Sequence, residues 1–218
     1  MRLIVLDTET TGLKTEEGHK IIEIGCVEII DRNITDNNYH QYICPNRKIS
    51  EDAIKIHGIT NEFLKDKPTF SQIKDQFFQY LKDSDLIIHN APFDIEFLRN
   101  ELTVAKDNPD LIDKERNVHD TLKMARNSHP GKRNSLDALC DRYDVDRESR
   151  KTHGALLDAN LLANVYLKMT VGQTNLSGLS EVRQKMKINE TELIDNRKQR
   201  VIMADEEELK KHQGYFKK

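Results

Sequence analysis

Apolar positions change period several times along the chain. Residues 3–6 form an unbroken apolar run, Leu3-Ile4-Val5-Leu6, which meets Asp7 and predicts a buried strand over 3–8. Over 20–30, Ile22, Ile24 and Cys26 alternate with their neighbours and predict a longer strand; the polar turn Asn37-Asn38 precedes a third over 39–44. Short spacings between the three suit antiparallel connections. The period then lengthens. Thr69 and Gln72 have capping-box spacing, and Ile73, Phe77, Tyr80 and Leu81 form the stripe of a helix over 69–82. A short strand over 85–89 leads to a helix over 93–105 with Ile95, Phe97, Leu98 and Leu102 inward. A strand around Val118 precedes short helices near Leu122 and over 135–143. The last helix, over 155–169, is apolar at Leu157, Leu161, Leu162, Val165 and Met169. Three antiparallel strands followed by alternating strands and helices predict an α/β fold, a mixed sheet with helices on both faces.

The pattern ends near Met169, leaving residues 170–218 of the 218-residue chain beyond it. Gly172-Gln173-Thr174-Asn175 and Ser177-Gly178 punctuate that boundary as a linker does. Charge divides at the same place: residues 1–170 hold 24 basic and 29 acidic side chains, and residues 171–218 hold 10 and 8. A net charge of -3 excludes a polybasic nucleic-acid wrapper, but not nucleic acid held at a small site or through metal ions. Four apolar residues before Asp7 make neither a signal peptide nor a membrane span, so no membrane association is expected and the compartment is most simply the cytoplasm. Cys26, Cys44 and Cys140 form no CxxC pair and suggest neither a disulfide framework nor a zinc site.

Acids stand where a core should begin. Asp7 and Glu9 are two apart at the end of a hydrophobic strand, so both carboxylates point to one face. Asp94 falls one turn into a helix, and Asp158 interrupts the apolar run Leu156-Leu157-Asp158-Ala159. His153 and Asp158 are five apart and would diverge on one helix, so their pairing requires His153 to stand on the loop before Gly154. Each feature has a structural alternative: a solvated strand end for Asp7 and Glu9, stabilisation of a helix end for Asp94, an exposed loop position for His153. Their recurrence in three separate segments favours one site. Four carboxylates without a Cys or His cluster suit Mg²⁺ or Mn²⁺. Two such ions stabilise the attacking and leaving oxygens of a phosphoryl displacement, and one imidazole supplies the base that activates water.

Asp7-Thr8-Glu9-Thr10-Thr11-Gly12-Leu13, His89-Asn90-Ala91-Pro92-Phe93-Asp94 and His153-Gly154-Ala155-Leu156-Leu157-Asp158 resemble, in order, the three motifs of the DEDDh 3′→5′ exonucleases. The likeness extends through Ile56-His57-Gly58-Ile59, Asp66-Lys67-Pro68-Thr69-Phe70 and Pro130-Gly131-Lys132-Arg133-Asn134-Ser135, and covers residues 1–170. It implies a ribonuclease-H-like fold and two-metal removal of 3′-terminal nucleotides as 5′-monophosphates from a single-stranded or frayed DNA end. On this resemblance Asp7, Glu9, Asp94 and Asp158 hold two divalent cations and His153 is the general base. Asp7, Glu9, Thr10, Gly12, Leu13, Asp52, His57 and Phe93 contact the terminal nucleotide, with Leu13 and Phe93 against the last bases; ordinary core packing is the alternative for those two. Asp120 matches a family position near the site, with a helix N-cap as its alternative.

Within the family the chain is similar to proofreading subunits of bacterial replicative polymerases. That implies an exonuclease domain over 1–170, a flexible linker over 171–182 and a polymerase-binding tail over 183–218. Val201-Ile202-Met203-Ala204-Asp205-Glu206-Glu207-Glu208-Leu209 resembles the segment that grips the polymerase subunit, and a segment that folds on binding is a physical model for it. Gln173-Thr174-Asn175-Leu176-Ser177-Gly178-Leu179 lies where the family carries a sliding-clamp peptide, but only Leu179 stands where an aromatic is expected. A small stabilising subunit is a further expected partner. The other readings are a stand-alone exonuclease for RNA ends or single strands, and a non-catalytic scaffold; the presence of all four acids and His153 argues against the scaffold.

Overall fold

The computed structural model describes residues 1–114, 116–147 and 152–171. The strands are β1 (Arg2–Thr10), β2 (Ile21–Ile30), β3 (Asn33–Ile34), β4 (Tyr39–Tyr42), β5 (Asp85–Ile88) and β6 (Val118–Asp120). The helices are α1 (Glu51–His57), α2 (Asn61–Leu64), α3 (Phe70–Leu81), α4 (Ala91–Val104), α5 (Thr121–Ser128), α6 (Leu136–Arg142) and α7 (Ala155–Met169). Sheet order is β3-β2-β1-β5-β6, with β4 also paired to β2. The first four strands are joined antiparallel; β5 is parallel to β1, and β6 to β5. This is the expected mixed sheet, with β1 at its centre.

β1 is apolar on both faces because both are covered. Ile4 and Leu6 join Ile24 and Cys26 under Ile73, Phe77 and Leu81 of α3 and Ile95, Leu98 and Leu102 of α4. Leu3 and Val5 join Val27 and Ile29 under Ala159, Leu162 and Ala163 of α7. The capping box forms: the Thr69 amide donates to Gln72 Oε1 at 2.8 Å and opens α3.

Three features depart from the periodicity. The segment expected as one strand over 39–44 ends at Tyr42, and a further short strand, β3, pairs with the far end of β2 through a two-residue turn in which Asp31 and Arg32 have φ of 48° and 68°. The strand expected over 3–8 continues to Thr10. Helices α1 and α2 occupy a stretch whose apolar spacing predicts none. α1 is specified by its ends: Ser50 Oγ accepts the Ala53 amide at 3.2 Å, and Gly58 at φ 74° closes the last turn. Residues 172–218 lie outside the described residues, and with them the segments expected to bind the polymerase and the clamp.

Candidate active site

Alternation along β1 divides its C-terminal end between the two faces of the sheet. Asp7 and Glu9 follow Leu3 and Val5 to the α7 side; Thr8 and Thr10 follow Ile4 and Leu6 to the α4 side. Asp7 stands opposite Gly25, where an added Cβ would lie 2.2 Å from the Ala155 carbonyl carbon and the Leu156 amide nitrogen. The missing side chain lets the first turn of α7 rest directly on the sheet beside Asp7. α7 begins at Ala155 with Gly154 as N-cap, so His153 is on the preceding loop, as its pairing with Asp158 requires. His153 Nδ1 is 3.1 Å from Asp158 Oδ2, and its amide donates to the Ile56 carbonyl at 3.2 Å. One donor atom from each of Glu9, His153 and Asp158 lies within 4.8 Å of the others.

Asp94 arrives from the opposite face. Asn90, at φ 70°, turns the chain into α4, and Asp94 falls in its first turn, 4% exposed. Thr8 Oγ1 donates to Asp94 Oδ1 at 2.7 Å. Burial pushes the Asp94 carboxyl up to about 7, against the Thr8 and backbone hydrogen bonds that favour its charged form, while Asp120 adds a smaller push upward. The structure thus gathers Glu9, His153 and Asp158 into one cluster, keeps Asp7 one pleat back on the same face, and fastens Asp94 to β1 through Thr8.

This donor set fits a hard divalent cation. Asp94 and Asp158 are 4% and 3% exposed, and buried carboxylates are costly without a compensating cation. Oxygen-rich ligation with a single imidazole suits magnesium or manganese better than zinc.

Beside the acids opens a cleft of about 500 Å³, lined by Glu9, Thr10, Gly12, Leu13, Asp52, His57 and Phe93 among others. Of the residues expected to contact nucleotide, Asp7 alone does not line it. Leu13 is 78% exposed, so core packing is not its role. Phe93 is half-buried, its ring centroid 4.9 Å from that of Phe97. His57 is buried; its Nδ1 accepts the Ile59 amide at 3.0 Å, and burial lowers its pKa. Asp52 is solvated and pairs with Lys55 at 2.9 Å. Asp120 is the N-cap of α5, accepting the Leu122 amide at 2.9 Å, and it also accepts the Asn90 amide at 3.2 Å.

Sequence reasoning missed three contributors. Thr8 lies inside the first motif, and strand alternation alone would have aimed its hydroxyl at the opposite helix. Ile56 presents a half-exposed apolar side chain to the cleft, and its carbonyl holds the His153 amide. His19 carries no sequence signal, since its partner is Gly12.

Mixed sheet, acids at the C-terminal end of β1 and in the first turns of α4 and α7, and a histidine on the loop before α7 define the class: a DEDDh 3′→5′ exonuclease with a ribonuclease-H-like fold. The exonuclease family RNase_T matches residues 4–166. DNA polymerase III subunit epsilon of Escherichia coli K12 is 46% identical over 221 residues, spanning 98% of this chain and 91% of the relative. The same subunit of Rickettsia felis is 46% identical, over 99% of this chain and 96% of its own. Among solved structures, exonuclease X in complex with 5′ overhanging duplex DNA matches with a TM-score of 0.60 and 30% identity, over 81% of this chain and 93% of that one. The nuclease domain of 3′hExo, a DEDDh member bound to rAMP, shares the fold with a TM-score of 0.68 at 21% identity, over 77% of this chain and 90% of that one. The chain belongs to the DNA polymerase III epsilon-subunit family. It is a 3′→5′ exonuclease of a divalent-metal-dependent family.

Proposed function

We propose that the protein is the proofreading exonuclease of a bacterial replicative polymerase, removing 3′-terminal deoxynucleotides as 5′-monophosphates. The convergence of Glu9, His153 and Asp158 within 4.8 Å, beside a cleft walled by an exposed Leu13, carries this reading. Asp7, Glu9, Asp94 and Asp158 are the residues that would hold two divalent cations, Mg²⁺ or Mn²⁺. When bound, such a pair supplies Lewis-acid stabilisation of the attacking and leaving oxygens, and it reverses the field that an acidic domain presents to a polyanion.

The protein's own groups do the rest. A carboxylate only accepts, so His153 Nδ1–H donates to Asp158 Oδ2, and Nε2 is the nitrogen that would take the proton of the attacking water. The same hydrogen bond fixes the imidazole's orientation. Thr10, Gly12, Leu13, Asp52, His57 and Phe93 receive the terminal nucleotide, joined by Asp7 and Glu9 at its phosphate. A mispaired terminus costs less to unstack and unpair, so selection needs no reading of base identity.

Residues 183–218 are assigned to the DNA polymerase III alpha subunit, residues 173–179 to the sliding clamp, and a small stabilising subunit is a third partner. The support is resemblance along the chain. As a replisome subunit the protein works in the bacterial cytoplasm; no helix among the described residues is long and apolar enough to cross a membrane. The test is release of a 3′-mismatched nucleotide from a primer, with Mg²⁺ and with chelator. Metal-dependent release, faster at mismatched than at paired ends, is expected; release that survives the chelator contradicts the proposal.

A further inference from the structure

The loop that presents Leu13 is held by a side chain outside the exonuclease motifs. At Gly12 an added Cβ would lie 2.2 Å from His19 Cε1 and 2.4 Å from Nε2, so the imidazole occupies the space where any other residue would place its side chain. The ring is anchored from behind. Thr11 Oγ1 accepts the Lys20 amide at 3.0 Å and is hydrogen-bonded to His19 Nδ1, also at 3.0 Å, while His19 Nε2 lies 3.6 Å from Glu17 Oε2.

The rest of the loop is tied as closely. The Thr11 amide donates to Lys20 O at 2.9 Å, Thr10 Oγ1 donates to Gly12 O at 2.6 Å, and the His19 amide donates to Lys14 O at 3.3 Å. Thr15 Oγ1 donates to Glu96 of α4, the helix that carries Phe93. Gly18, at φ 78°, makes the reversal that folds His19 back over Gly12. The loop tied in this way carries one exposed apolar residue, Leu13. Holding Leu13 out in water has no folding benefit, since apolar burial is what stabilises a fold; a fixed apolar tip in a nucleotide cleft has a binding one.

We infer that His19 is a positioning residue for strand-end binding, a ring packed over Gly12 that sets the height at which Leu13 meets the terminal base. The inference rests on the proposed exonuclease reading and adds a residue to it. A positioning role predicts loss of substrate affinity with little loss of turnover, because the acids and His153 are on other elements. It also predicts that His19 and Leu13 act as one unit.

The test is a double-mutant cycle in the full chain, read as KM and kcat on a short single-stranded oligodeoxynucleotide in Mg²⁺. His19→Ala and Leu13→Ala are each expected to raise KM about tenfold, the scale of one lost apolar contact, with kcat within about threefold. The double variant should match the weaker single within about twofold, because the second change removes nothing further. His19→Asn, which keeps a polar group able to pair with the Thr11 hydroxyl, should recover part of the KM loss; a merely structural role would instead lower the melting temperature and kcat together. Additive KM effects, or a loss confined to kcat, overturn the inference. Wild-type hydrolysis measured alongside reports on the exonuclease reading by itself: a silent wild type counts against that reading, and an additive cycle counts against His19 alone.

Discussion

Thr8 and Asp94 are joined across 2.7 Å by a hydrogen bond that fastens the central strand to the helix carrying a motif acid. The two residues are 86 apart in sequence, and Thr8 faces away from Asp7 and Glu9 on either side of it. A strand that alternates faces thereby serves a site built from both sides of the sheet.

Removing that hydroxyl should be costly. Thr8→Val keeps shape but removes the hydroxyl donor of a buried carboxyl, leaving only backbone donors, which costs about 1–3 kcal/mol. A lowered urea midpoint and a raised Mg²⁺ requirement for activity are expected. Unchanged values of both would show that Asp94 is positioned by α4 alone.

The Asp94 carboxyl, raised to about 7 by burial, links metal-free stability to pH. An acid whose folded pKa exceeds its unfolded value binds more protons when folded. Its contribution is therefore full below about pH 4 and is lost as pH rises through about 7. Chemical denaturation in chelator should show this component of the pH dependence, Asp94→Asn should remove it, and apparent Mg²⁺ affinity should strengthen over the same interval as the ligand loses its proton.

Gly25 carries the α7 contact. Gly25→Ala would place a methyl 2.2 Å from the Ala155 and Leu156 backbone, which cannot rotate away. Overpacking of this kind costs about 1–3 kcal/mol. A shift of α7 by about 1 Å displaces His153 and Asp158 from β1 and lowers turnover about a hundredfold. Retained turnover in a folded variant would mean that α7 does not set the site.

Asp120 gives the contrasting case. As the α5 N-cap it should contribute stability, with Asp120→Ala costing about 1 kcal/mol in denaturation. A loss of activity to the level of a missing metal ligand would reassign it to the site.

Periodicity and motif spacing made the frame legible. β1, β2, α3, α4 and α7 are long enough to show a repeat, and acids in three separate segments pointed to the candidate site. The cleft wall was not legible. α1 has seven residues and α2 four, too short to present a 3.6-residue stripe. Packing and exposure of Leu13 could not be told apart, because its environment is set by His19 and the turn at Gly18. Thr8 and His19 act through partners on other elements or across a reversal, and that proximity exists only once the chain folds.

The central claim is that these acids work through bound metal, and single-turnover release of a 3′-mismatched nucleotide by Asp7→Ala tests it most directly. Metal pairs of this kind supply several kcal/mol to the transition state, so a loss of roughly a thousandfold or more is predicted, with the fold retained by circular dichroism. Undiminished release in Mg²⁺ by the folded variant would contradict the account.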